Sequence, residues 1–253
     1  MRRPGLDWPV QGLGAAGRRQ VWSSRPCAPD FARLAPVILG IDEAGRGPVL
    51  GPLVVAAVVL RPPRAAALTR RGVCDSKTFG AGPEAQARRA ELAGHVRRLA
   101  EAVGLEVLEH DEVDRYASQG RLNELERRAA RALIASAPRV PRIVADGVHV
   151  FGPLRLEYPH LEAFDDGESV HVAVAAASIV AKDCRDRLFA EIADRYREEF
   201  GEVRGGGYVN AATADFLRRY HLRYGCLPPE TRRSWEWSVL LELEPPRLPL
   251  FEP

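Results

Sequence analysis

The sequence predicts an α/β fold. Three observations carry this: apolar runs of strand length that stop at an acid or a glycine, helical-period segments between them, and a helical stretch near the end of the chain. The first run, residues 37–42, is Val-Ile-Leu-Gly-Ile-Asp and reads as a strand. The second, 52–60, is apolar throughout, and the short turn between the two suggests an antiparallel pair. Residues 84–103 are helical, with Arg and Glu on one side, and 105–108 read as a third strand. Helices follow at 111–117 and 122–136. A short strand at 142–145 ends at Asp146-Gly147, and 154–158 reads as another strand. The segment 172–200 is a long helix that begins with Ala173, Ala175, Ala176, Ala177 and Ser178, residues small enough for close packing. Residues 211–224 form a helix stopped by Gly225 and Pro228-Pro229, and a last amphipathic helix is expected over 231–243.

Four parts are expected: an extension without regular structure at 1–36, an α/β core at 37–200, a helical part at 201–243, and a tail at 244–253. The 253 residues, 46% hydrophobic, suffice for a large core. No apolar run approaches the roughly 20 residues of a membrane helix. Cys27, Cys74, Cys184 and Cys226 are widely spaced and form no CxxC pair, against a zinc site of usual spacing and a disulfide framework. A reducing, cytoplasmic setting and a monomer are the expectations. Net charge is +2, with +4 in residues 1–36, so composition alone does not announce a nucleic-acid binder. The only lysines are Lys77 and Lys182, which marks both positions, because Arg replaces Lys cheaply on a solvated face but not where a compact ammonium is wanted.

The most informative stretch is Gly40-Ile41-Asp42-Glu43-Ala44-Gly45-Arg46-Gly47-Pro48. An apolar strand stops at two adjacent carboxylates. Burying them together calls for a cation, and hard divalent ions prefer carboxylate oxygens. The glycines let backbone N–H groups approach a ligand, and Arg46 offers a fork for phosphate. Adjacent side chains on a regular strand face opposite ways, so Asp42 and Glu43 converge only if the chain turns at Ala44-Gly45. Acids at a strand end are also ordinary solvated residues. Asp146 repeats the pattern, and two strands delivering carboxylates at one sheet end would build a metal site, although Asp-Gly is also a common turn. Asp165, Asp166 and Glu168 stand before the alanine-rich helix, where acids also serve as dipole partners. A two-metal phosphoryl site needs three or four such carboxylates.

Taken together these residues resemble type-two ribonuclease H, ribonuclease HII. The resemblance is carried by the Gly40–Pro48 stretch with Gly51-Pro52, by Asp75-Ser76-Lys77, Leu122-Asn123-Glu124 and Asp146, by 176–182 with Arg185-Asp186, and by Gly206-Gly207-Tyr208. It implies a ribonuclease H-like mixed sheet flanked by helices as the catalytic core, 37–200, with a C-terminal helical extension, 201–243, as the substrate-binding part. It implies an endonuclease that cuts the RNA strand of RNA/DNA hybrids and the 5′ side of ribonucleotides in duplex DNA, leaving 3′-OH and 5′-phosphate ends. Two Mg²⁺ or Mn²⁺ ions would sit between Asp42, Glu43, Asp146 and Glu168. The backbone of Gly45, Arg46 and Gly47 would contact the 2′-OH, Tyr208 would stack on the next sugar, Lys77 would hold a phosphate, and Asn123 would touch the backbone in the minor groove.

One position departs from the family pattern. An Asp is usual ten residues before Ser178, and this chain has Glu168, as in type-three enzymes; Asp166 and Asp165 are the reserve ligands. Two other readings therefore stand beside the first: a type-three-like enzyme acting on hybrids alone, and a non-catalytic nucleic-acid-binding relative. His171 reads as a surface or core residue, Lys182 and Arg185 as partners of Asp183 or Asp186, and Trp235 and Trp237 as helix packing.

Overall fold

A computed structural model describes residues 20–24, 37–73, 80 and 82–244. Six strands form one mixed sheet in the order β1-β4-β3-β2-β5-β6. They are β1 (Gln20–Ser24), β2 (Ile38–Ala44), β3 (Leu53–Leu60), β4 (Ala102–Leu108), β5 (Arg142–Asp146) and β6 (Leu161–Phe164). β2 pairs antiparallel with β3, as the short connection predicts, and parallel with β5. β5 pairs parallel with β6, and β4 pairs antiparallel with β3 and β1.

β3 is apolar throughout because both its faces are covered. Val54, Ala56 and Val58 pack under α2 (Pro83–Leu99) and α7 (Val172–Phe200). Leu53, Val55, Ala57 and Val59 pack on the other side with α3 (His110–Ala117) and α4 (Leu122–Ser136). α7 lies directly on β2. A Cβ on Gly40 would fall 2.1 Å from the Ala173 carbonyl carbon, so the two backbones touch there. This contact is the use of the small residues that open α7. A third apolar cluster joins the far end of α7 to α8 (Ala211–Tyr224) and α9 (Ser238–Leu243), through Phe189, Phe200, Phe216 and Leu217.

Several expectations are corrected. Residues 20–24, expected in an unstructured extension, form edge strand β1; the rest of 1–36 lies outside the described residues, as do Asp75-Ser76-Lys77 and 245–253. The helix expected over 84–103 ends at Leu99, and β4 begins at Ala102. Pro62 and Pro63 open an unforeseen helix, α1 (Pro62–Thr69). Residues 154–158 are not a strand: Pro153 starts a 3₁₀ turn, Gly152–Leu156, after the short α5 (Val148–Phe151), and the strand is β6 instead. The helix expected over 231–243 is confined to Ser238–Leu243. Residues 231–237 are instead tied to the loop after β2, beginning with a bridge between Leu50 and Thr231. No helix among the described residues is long and apolar enough to cross a membrane.

Candidate active site

The β2–β5 register sets Ile41 beside Ala145, so Asp42 and Asp146 leave the sheet at the same end of neighbouring parallel strands. Asp42 is buried, and Glu43 follows it at the strand end. Asp42 accepts the Glu43 N–H at 2.8 Å and a hydrogen bond from the Ser178 hydroxyl of α7. Its pKa is nevertheless raised well above the usual carboxylate value, first by burial, then by Glu43 and Asp146. Burial also pushes Glu43 up to about 7, with Glu126 and Asp146 adding to it and Arg46 opposing. Each acid thus makes ionisation of the other costly.

Asp146 is oriented by the next loop. Its Oδ1 accepts the Gly167 N–H at 2.6 Å. Gly167 opens α6 (Gly167–Val170), and a Cβ there would lie 3.3 Å from the Ala145 carbonyl oxygen and from Asp146. Glu168, the next residue, is buried, with Lys182 Nζ 3.8 Å from its Oε2. Asp165 and Asp166 are exposed, and Asp165 caps the Val148 N–H at 3.0 Å. Among the described residues no three His, Cys, Asp or Glu side chains form a ready-made metal-binding group. The donor set still suits a hard cation: all-oxygen, acidic and largely buried, with pKa values that a nearby positive charge would bring down.

The glycine-rich loops lie alongside. Gly45 has φ +97°, and a Cβ on it would fall 2.7 Å from the Pro52 carbonyl oxygen, so only glycine makes this turn. The Gly207 carbonyl accepts the N–H groups of Val49 and Leu50 at 2.8 and 3.2 Å, which ties the Gly206-Gly207-Tyr208 turn to the segment after β2. Tyr208 is half-exposed, and its Cε1 lies 4.0 Å from the Cβ position of Gly47. The structure therefore brings Gly47 and Tyr208 together at the sheet end that carries the acids.

Arg46 differs from expectation. Its fork is turned onto α4, where Nη1 meets Glu126 and Nη2 donates to Asn123 Oδ1, both at 2.5 Å. Asn123 thus holds Arg46. Lys182 pairs with Glu168, while Asp183 pairs with Arg97 and Arg187, and Asp186 with Arg89. His171 packs against Phe164, with ring centroids 5.7 Å apart. Two residues at the site carry no signal in the sequence, Glu126 and Arg232, while Arg185, expected as a partner of Asp183 or Asp186, instead donates to the Leu50 carbonyl at 3.3 Å. Glu126 is fully buried and pushed up to about 7 by burial, against the pull of Arg46. Arg232 is fully buried and donates to the Gly51 carbonyl at 2.9 Å and the Gly45 carbonyl at 2.7 Å. Trp235, expected only to pack a helix, donates through Nε1 to the Gly47 carbonyl at 3.2 Å.

A mixed sheet with acids on adjacent parallel strand ends and a long helix across its centre defines a nuclease of the ribonuclease H type. The ribonuclease HII family profile matches residues 39–237. A ribonuclease HII from Methanocella arvoryzae is 36% identical over 227 residues, spanning 85% of this chain and 96% of the relative. The crystal structure of ribonuclease H2 from Pyrococcus horikoshii matches with a TM-score of 0.68 and 28% identity, over 82% of this chain and 96% of that one. Bst-RNase HIII, solved in complex with Mn²⁺, shares the fold at 24% identity and a TM-score of 0.59, over 75% of this chain and 63% of its own. The chain belongs to the ribonuclease HII family.

Proposed function

We propose that the chain cuts the RNA strand of RNA/DNA hybrids and the 5′ side of ribonucleotides embedded in duplex DNA, leaving 3′-OH and 5′-phosphate ends. The observation that carries this reading is the meeting of Gly47 and Tyr208 beside Asp42, Glu43 and Asp146. A surface for a ribose and a site for a phosphodiester then lie at one sheet end. Only the 2′-OH distinguishes a ribonucleotide at a given position, and backbone N–H groups of a glycine turn can approach it closely.

Asp42, Glu43, Asp146 and Glu168 would hold two divalent ions, Mg²⁺ or Mn²⁺, which when bound supply an activated water and stabilise the leaving 3′ oxygen. The chain's own part is orientation. Ser178 and the Glu43 N–H fix Asp42, and the Gly167 N–H fixes Asp146. Glu168 is favoured as the fourth acid over Asp165 and Asp166 because it is buried and they are exposed. Gly45, Arg46 and Gly47 contact the ribose through their backbone, and Tyr208 stacks on the following sugar. Lys77 holds a phosphate. The fork of Arg46 serves its loop, and through it Asn123 acts on the loop too.

The test is cleavage of an end-labelled DNA duplex carrying one ribonucleotide, beside a continuous RNA/DNA hybrid, with Mg²⁺ or Mn²⁺. One cut on the 5′ side of the lone ribonucleotide is expected. Cleavage of the hybrid alone would indicate type-three behaviour, and cleavage of neither would indicate a binding protein.

A further inference from the structure

Beneath the ribose-facing surface lie two buried arginines that the reaction itself does not use. Arg232 lies under the loop 45–47. Besides its bonds to Gly45 and Gly51, its Nη1 is 3.5 Å from the Arg46 carbonyl, its own N–H donates to the Val49 carbonyl at 2.7 Å, and its guanidinium lies 4.9 Å from the Trp235 ring centroid. Arg185, on α7, lies under the other half. Its guanidinium is 5.0 Å from the Tyr208 ring centroid and 5.1 Å from that of Phe189, and Nη2 donates to the Leu50 carbonyl at 3.3 Å.

The geometry of the trans peptide gives these contacts a direction. In a planar trans peptide the C=O and the next N–H point opposite ways. Arg232 draws the carbonyls of Gly45 and Arg46 inward, so the N–H groups of Arg46 and Gly47 face outward, as donors toward a ribose hydroxyl. Arg185 fixes the inner face of Tyr208 and leaves the other for a sugar. The two supports share a base, since they hold the adjacent carbonyls of Leu50 and Gly51.

The arrangement is costly for a purely structural purpose. Both guanidiniums are almost wholly buried, and among the described residues neither makes an ion pair with a carboxylate. Arg185 Nε and Arg232 Nη2 are buried without a hydrogen-bond partner among the described residues. Burial lowers both pKa values, that of Arg232 to about 9 with Arg185 contributing. Well-packed apolar side chains often stabilise as well as or better than buried charge. What they could not do is gather several carbonyls to one point.

We propose that Arg232 and Arg185 are positioning residues that determine specificity for a lone ribonucleotide, one presenting the outward N–H groups of Arg46 and Gly47 and the other the face of Tyr208. The inference rests on the function proposed above. A continuous hybrid offers a 2′-OH in every register, so a displaced loop still finds one. A lone ribonucleotide offers a single productive register, and a misplacement of about 1 Å can cost on the order of 100-fold.

The test uses Arg232→Lys and Arg185→Lys in the full chain, which keep the charge but lose the fork. Measured are kcat and KM on the lone-ribonucleotide duplex and on the hybrid, and amide exchange at Arg46 and Gly47. Expected is a fall of about 10- to 100-fold in the lone-ribonucleotide to hybrid ratio, mostly in kcat, with faster exchange at these amides in Arg232→Lys. Trp235→Phe, which removes only the donor to Gly47, is expected to shift the ratio the same way and serves if Arg232→Lys does not fold. Parallel losses on both substrates, or an unchanged ratio, would overturn the inference while leaving the proposed function intact. A wild-type chain that cuts neither substrate would overturn both.

Discussion

The guanidinium of Arg46 and the carboxylate of Glu126, 80 residues apart in the chain, form an ion pair whose two ends differ in exposure: 41% for the Arg46 side chain and 0% for Glu126. Removing either partner therefore has unequal effects. Arg46→Ala strands a buried acid and is expected to cost about 3 kcal/mol. Glu126→Gln leaves Arg46 in contact with Asn123 and water and is expected to cost about 1 kcal/mol. Urea unfolding of the two variants checks the asymmetry, and equal losses would contradict it.

Asp42→Asn is expected to reduce cleavage by at least about 100-fold, since preorganised charge at a reacting phosphoryl group contributes on this scale or above. The same change removes a buried charge beside Glu43 and Asp146. Metal-free Asp42→Asn should therefore melt at a higher temperature than wild type at pH 8. Single-turnover cleavage and calorimetry together read both effects, and a variant that is inactive and also less stable would count against the electrostatic account.

Stability without metal should depend on pH through Glu43. A carboxyl whose pKa rises on folding binds more protons folded than unfolded between its two values, so stability falls as pH rises through that window. For Glu43 the window runs from 4.5 to about 7. In chelator, Tm is expected to decline across that range relative to Glu43→Gln and then level off, and Mg²⁺ at pH 8 should recover the loss. Parallel pH profiles for the two proteins would refute this.

Glu168→Asp shortens the carboxylate by one methylene and draws it away from Lys182, now 3.8 Å away. The ratio of Mn²⁺- to Mg²⁺-supported activity is expected to change by about threefold, an energy of about 0.65 kcal/mol. Identical ratios in both proteins would remove any role for Glu168 in the choice of metal.

Asp42, Glu43 and Asp146 were legible because each interrupts an apolar strand, where a carboxylate needs an explanation. The long helix was legible from its run of small residues, whose purpose is the contact of Gly40 with Ala173. Glu126 was not legible: on the periodicity of α4 it reads as one more polar residue, and its burial depends on Arg46 from a distant loop. Arg232 was hidden by abundance, and nothing near Arg185 in sequence points to its contacts with Leu50 and Tyr208. Where nearly every basic residue is arginine, the buried ones carry no compositional mark. β6 is not legible because four residues show too little alternation, and 231–237 read as helix because their partners, the backbone carbonyls of 45–51 and Asp114, are distant in sequence and leave no local pattern.

Gly45 and its support Arg232 are separated by 187 residues. A ribosome releases them in that order, so the loop emerges long before the side chain that turns its carbonyls inward. The sheet and its acids can assemble while the C-terminal residues are still being translated, as domains fold from the N-terminal side first. The support of the glycine turn is thus among the last features the nascent protein acquires, and it arrives only when the segment through Trp235 has folded back onto the loop.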